Sequence, residues 1–158
     1  MDTAVRALAD RVEIDDLLIR YASAIDARDW ALLDTVFTID AALDYRSAGG
    51  ICGPYPAVRD WLASVLPMFT WTQHLILNRS VTIGDDGEEA QARSAFLNPN
   101  QLLVDDRAWR FTVGGAYHDG LIRTDDGWRI SSRVEETLWW DNPMPGLPAE
   151  PYPLEPSG

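Results

Sequence analysis

After Pro67 the chain becomes a succession of long β-prone runs cut by short acidic turns, and this half most constrains what it can fold into. Gly84-Asp85-Asp86-Gly87 and Asp125-Asp126-Gly127 have hairpin composition, because glycine and aspartate accept the positive φ that tight hairpin turns require. Asp105-Asp106 marks a further turn. The runs between them, at about 71–83, 89–103, 108–124 and 128–139, predict four antiparallel strands in a meander. Gly114 and Gly115 inside the third run predict a bulge or sharp bend.

Upstream the periodicity is helical. Asp2 or Thr3 can cap a helix reaching about Asp26, with Val5, Leu8, Val12, Leu17, Leu18, Tyr21 and Ile25 recurring at three- and four-residue steps as one apolar stripe. Asp29 reads as the N-cap of a short second helix through Trp30, Leu32, Leu33 and Val36. A short strand follows over Asp40 to Tyr45. Gly49, Gly50, Gly53 and Pro54 mark a loop, and a third helix runs from about Pro56 to Leu66, stopped by Pro67. Helices first and strands afterwards predict an α+β domain. The expected form is a cone-shaped α+β barrel, three N-terminal helices packed on a strongly bent, mainly antiparallel sheet that encloses a cavity. That domain spans 1–141. The remainder, 142–158, carries Pro143, Pro145, Pro148, Pro151, Pro153 and Pro156, so it is neither helix nor central strand. It is either a frayed terminus or a tail laid across the cavity mouth or a neighbouring subunit, with Leu147, Tyr152 and Leu154 to bury.

The chain has 158 residues, a length that suits one core. A formal charge of -12 argues against nucleic acid and anionic membranes as partners, since such a surface repels phosphates. One cysteine, Cys52, excludes an internal disulfide and fits a reducing, cytoplasmic setting. Two histidines and one cysteine make a structural zinc site an unsuitable reading. The N-terminus does not read as a signal peptide, and no run approaches the roughly 20 apolar residues of a membrane span.

Chemistry concentrates in Trp71-Thr72-Gln73-His74-Leu75-Ile76-Leu77-Asn78. As a strand it would place Thr72, His74, Ile76 and Asn78 on one face. A histidine among apolar neighbours acts near neutral pH when a second group fixes its proton. Asp26 is the candidate: it falls in the last turn of the first helix, where the dipole disfavours a carboxylate that lacks a partner. The alternatives are a structural, hydrogen-bonded histidine and a solvated aspartate. No serine sits in a Gly-x-Ser-x-Gly elbow, which removes the usual nucleophile signature. Trp71, Trp139 and Trp140 are candidate cavity lining for a flat apolar ligand, and His118 is either a pocket or a structural histidine.

Four segments carry a family likeness: Asp26-Ala27-Arg28-Asp29-Trp30, Asp44-Tyr45-Arg46-Ser47, Thr72-Gln73-His74 and Asp126-Gly127-Trp128-Arg129-Ile130. With the helix-then-meander layout they resemble the nuclear-transport-factor-2-like cone fold, and within it the SnoaL-like, scytalone-dehydratase-like branch. The resemblance implies that His74 is a catalytic base oriented by Asp26. It further implies that Tyr45 polarises the substrate carbonyl through water and that Tyr21 matches a first-helix tyrosine of the bile-acid dehydratase. Arg133 matches an arginine of that enzyme, Asn100 stands where scytalone dehydratase has a second histidine, and His118 falls near a family asparagine. Ile25 replaces that enzyme's tyrosine before the aspartate. The substrate-binding set is therefore Asn100, His118, Arg133, Trp71 and Trp139, with no metal and no cofactor. The implied activity is dehydratase-type elimination on a small hydrophobic cyclic substrate, by a homo-oligomer of which a trimer is the family form. An isomerase or cyclase using the same pair, and a non-catalytic ligand-binding cone, stay open.

Overall fold

The computed structural model describes residues 3–154. Asp2 as a helix cap and Pro156 in the tail lie outside the described residues. Helix α1 covers Thr3–Ala27, α2 Trp30–Leu33 and α3 Tyr55–Val65. Strands β1 (Phe37–Asp44), β2 (Cys52–Pro54), β3 (Phe69–Thr72), β4 (Leu75–Ile83), β5 (Glu89–Val104), β6 (Arg107–Thr124) and β7 (Gly127–Asp141) form a single mixed sheet. The α+β cone is therefore confirmed, as helices on a bent sheet that stays open rather than closing into a barrel.

β4, β5, β6 and β7 pair antiparallel in sequence order, as the turn signals require. β1 then joins β7 in parallel, and β2 folds back on β1, giving the order β2-β1-β7-β6-β5-β3. The run expected as one strand over 71–83 is two, β3 and β4, both paired with β5. The break falls at Gln73-His74, opposite Asn98-Pro99. Pro99 has no N–H to donate, so the ladder is interrupted there. Asn78 does not continue the parity of Ile76 either, because its φ of 37° and a register shift between Leu77 and Ser80 turn the strand.

α1 corrects the expected stripe. Its sheet-facing side is Asp10, Ile14, Leu17, Leu18, Tyr21, Ala24 and Ile25, all buried. Val5, Leu8 and Val12 are 54%, 64% and 56% exposed and share the far side of the helix with Ile19. At 3.6 residues per turn the two sets lie on opposite faces. α1 ends at Arg28, whose φ of 55° turns the chain while Asp29 N–H bonds the Ala24 carbonyl at 2.8 Å. Asp29 then caps α2 as expected, accepting the Leu32 N–H at 2.9 Å.

Two one-residue bulges set which residues of β7 point inward. Gly120 faces Ser132 and Leu121 faces Ile130, so Ser131 is the extra residue; Gly115 faces Thr137 and Gly114 faces Trp139, so Leu138 is another. The buried face of β7 therefore runs Trp128, Ile130, then Arg133, Glu135, Thr137, then Trp140. The tail is not frayed over its described length. Trp109 Nε1 donates to the Asn142 carbonyl at 3.1 Å, Trp140 Nε1 to Ala149 at 2.9 Å, and Tyr152 N–H to Ser47 at 3.3 Å. Leu147 is half-buried, whereas Tyr152 and Leu154 stay exposed.

Candidate active site

The open ladder at Gln73-His74 leaves the His74 N–H without a strand acceptor, and α1 supplies one. Asp26 Oδ2 accepts that N–H at 2.9 Å, while Asp26 Oδ1 lies 2.7 Å from His74 Nδ1. One carboxylate thus holds both the backbone and the ring of the same residue. This is the partner that the acid at the helix end required. With Nδ1 engaged, Nε2 is the nitrogen left to meet a ligand. The His74 ring also packs edge-on to Tyr21, with centroids 6.1 Å apart.

His74 lines a cavity of about 290 Å³ between the concave sheet and the helices. Tyr21, Tyr45 and Asn100 line it too. The Tyr45 hydroxyl donates to the Tyr21 hydroxyl at 3.2 Å, and burial pushes both phenols well above their ordinary range. Asn100 donates to the Asn98 carbonyl at 2.7 Å and to its side-chain oxygen at 3.0 Å, which aims its own oxygen elsewhere. Apolar walls come from α3 and the strands, with Trp61, Leu62, Phe111 and Trp140 prominent. Met144 and Leu147 of the tail complete the lining. The tail runs across the cavity rather than away from it.

Four expected ligand contacts do not line this cavity. Trp71 pairs with outward-facing Gln101, and a register shift in β3 turns Thr72 inward instead. Trp139 is displaced by the bulge at Leu138, which brings Trp140 into the wall and lays the Trp139 indole outside, over Gly114. His118 sits on the outward parity of β6, where it meets Glu136 Oε2 at 2.7 Å; its neighbour Tyr117 faces the cavity. Arg133 is buried behind the lining. It is clamped bidentately by Asp119 at 2.7 and 2.8 Å and sandwiched 4.0 and 4.2 Å from the Tyr21 and Tyr117 rings. That stack holds the Tyr21 ring in place from behind.

Sequence reasoning missed Glu135, the one carboxylate among the cavity-lining residues. Ser47 fixes the backbone that follows it, donating to the Glu135 carbonyl at 2.5 Å and accepting the Thr137 N–H at 3.0 Å. The signal was the alternation Arg133, Glu135, Thr137, which reads as a solvated face until the bulge at Ser131 reverses it.

The molecule is thus an open α+β cone in which a helix-borne aspartate holds a histidine that lines a largely apolar cavity. The SnoaL-like domain family matches residues 6–134, and the chain belongs to that family. The uncharacterised protein Rv2910c of Mycobacterium tuberculosis is 45% identical over 132 residues, covering 84% of this chain and 88% of that one. Among solved structures, a protein provisionally described as a scytalone dehydratase from Novosphingobium aromaticivorans superposes with a TM-score of 0.80 at 19% identity, covering 94% and 95% of the two chains. A hexachlorocyclohexane dehydrochlorinase, LinA-type3 from Novosphingobium barchaimii, does so with a TM-score of 0.77 at 18% identity, covering 92% and 97%. At those identities the likeness is one of fold.

Proposed function

We propose that the protein is a cofactor-free lyase that eliminates water from a small, hydrophobic, oxygenated ring compound. The observation that carries this is the 2.7 Å contact of His74 Nδ1 with Asp26, which holds from behind a histidine that lines a largely apolar cavity. A carboxylate on Nδ1 fixes the tautomer, leaving Nε2 as the acceptor, and stabilises the imidazolium formed when Nε2 takes a proton. The Tyr45–Tyr21 hydroxyl pair lines the same space and supplies a donor for charge that develops on a substrate oxygen. Two structural neighbours are named for eliminations, of water in one case and of hydrogen chloride in the other. That supports elimination as the reaction type. Isomerisation or cyclisation would begin with the same proton abstraction.

The test is loss of water from a β-hydroxy cyclic ketone, followed by the conjugated absorbance, with chelator present throughout. His74→Ala and Asp26→Ala are each expected to cut turnover by orders of magnitude, and the double variant to add little, because the two act as a unit. Affinity for the ring compound survives both changes, since apolar walls supply most of it. Turnover that persists in His74→Ala, or that collapses with chelator, overturns the reading. Tight binding of the ring compound with no turnover of any hydroxylated analogue makes the protein a ligand-binding cone.

A further inference from the structure

Glu135 is 8% exposed and lines the cavity from β7. Its carboxyl meets a single hydrogen-bond partner among the described residues, the Thr137 hydroxyl at 3.4 Å, beyond the normal range for O–H···O. The cation nearest along the strand, Arg133, is already matched by Asp119, whose side chain is fully buried with it. The other titratable groups facing this region are Tyr21 from α1, Tyr45 after β1, Tyr117 from β6, and His74 with its Asp26 from the β3–β4 junction. Burial pushes the Glu135 carboxyl up to about 7, against the opposing pull of Arg133 and the Thr137 hydrogen bond. A neutral carboxyl has a proton to donate, and a buried donor without an acceptor is costly.

We infer that Glu135 is a proton donor of this cavity, its carboxyl hydrogen-bonding a hydroxyl or ketone oxygen of an uncharged ring ligand. The class of ligand follows from the rest of the wall: no lysine or arginine is among the lining residues, and Arg133 behind them is held by Asp119, so a carboxylate or phosphate would find no matching cation. The inference deepens the lyase reading and rests on it for the reaction step. His74 Nε2 takes the ring proton as the C–H bond breaks, and that electron pair forms the new C=C bond. The C–O bond breaks with its pair passing to oxygen, which takes the Glu135 proton and leaves as water. The imidazolium and carboxylate that remain are restored by proton transfer from the first to the second through water. Acid and base thus come from different walls, β7 and the β3–β4 junction, with β6 and β5 between them in the sheet.

The experiment is difference infrared spectroscopy of the whole protein, with 1-tetralone as a ligand whose oxygen only accepts and tetralin as the hydrocarbon of the same shape. The wild type is expected to show the carbonyl stretch of a neutral carboxyl, fading as pH rises through about 7. That band shifts on adding 1-tetralone, stays put with tetralin, and is absent from Glu135→Gln. Glu135→Asp, which keeps an acid, retains a displaced band and serves as the assignment if the glutamine variant does not fold. No neutral-carboxyl band below that pH, a band indifferent to 1-tetralone, or failure of 1-tetralone to bind overturns the inference. His74→Asn is expected to keep both band and shift. A dead elimination assay with the shift intact therefore overturns the lyase reading alone, and a missing shift with His74-dependent turnover overturns the role of Glu135 alone.

Discussion

A carboxylate that binds the N–H and the ring nitrogen of one histidine sets that residue's place and its tautomer together, as Asp26 does for His74. Glu135 has the opposite character: its burial outweighs the pull of Arg133 and of the Thr137 hydrogen bond. Its pKa rises from 4.5 to about 7 on burial. The native state therefore holds a proton that the unfolded chain has lost over that window, and stability falls as pH rises from about 4.5 to about 7. The loss amounts to roughly 3 kcal/mol, taking 1.36 kcal/mol per pKa unit. Glu135→Gln is expected to flatten this slope, leaving the variant close to wild type in acid and more stable above neutrality. Urea unfolding at several pH values measures it, and a wild-type profile flat between those limits contradicts it. Tyr45→Phe is the milder change. Turnover of the hydroxy ketone is expected to drop on the order of 10- to 1,000-fold, less than for loss of the base, because one donor goes and the base stays.

At the scale of elements, β6 bends where Gly114 and Gly115 leave room, and the two glycines differ in what they make room for. A Cβ on Gly115 would run into the Glu136 carbonyl oxygen and, at 3.0 Å, into Phe96. A Cβ on Gly114 meets the indole of Trp139, which is 45% exposed and free to swing outward. Gly115→Ala is accordingly expected to cost on the order of 3 kcal/mol in chemical denaturation and Gly114→Ala distinctly less, since backbone yields less readily than an outer side chain. The tail is a second element with a measurable part. Truncation after Asn142 removes Met144 and Leu147 from the cavity wall and the Ala149 acceptor from Trp140. Burying one such side chain is worth roughly 1.5–3 kcal/mol, so 1-tetralone is expected to bind about tenfold more weakly or worse to the truncated chain. Equal affinity in a tryptophan-quenching titration would make the tail a bystander.

The whole molecule presents more apolar surface than its own core explains. Val5, Leu8, Val12 and Ile19 form an exposed stripe along α1, and Leu138 and Trp139 are turned out of β7 by the bulge. Large apolar side chains left outside the core are surface that a second chain can cover. The expectation is a homo-oligomer, a trimer by family likeness, with a sedimentation mass three times the 17.7 kDa chain. Leu8→Glu and Leu138→Glu are expected to lower that mass without unfolding the cone. A wild-type monomer at micromolar concentration counts decisively against it. Among the described residues no helix is long and apolar enough to cross a membrane.

Much of this was legible in the chain itself. Gly-Asp turns and period-two runs are local chemistry, so the hairpin order and the three long strands after Gly87 could be read directly, as could the Asp29 cap, whereas the run over 71–83 broke into two strands opposite Pro99. Asp26 and His74 stood out because each was locally unsatisfied, one at the wrong end of a helix and one among apolar neighbours. What only the tertiary structure decided was facing. Val5, Leu8 and Val12 are as regularly spaced as Ile14, Leu17 and Tyr21, and periodicity alone does not say which stripe meets the sheet. Trp139 and Trp140 differ in one position, and Arg133 and Glu135 look like solvent-facing charges. Composition does not mark which residue of a strand is the extra one. Yet a single bulged residue sends every side chain beyond it to the other face, and two of them in β7 placed Glu135 in the cavity and Trp139 outside it.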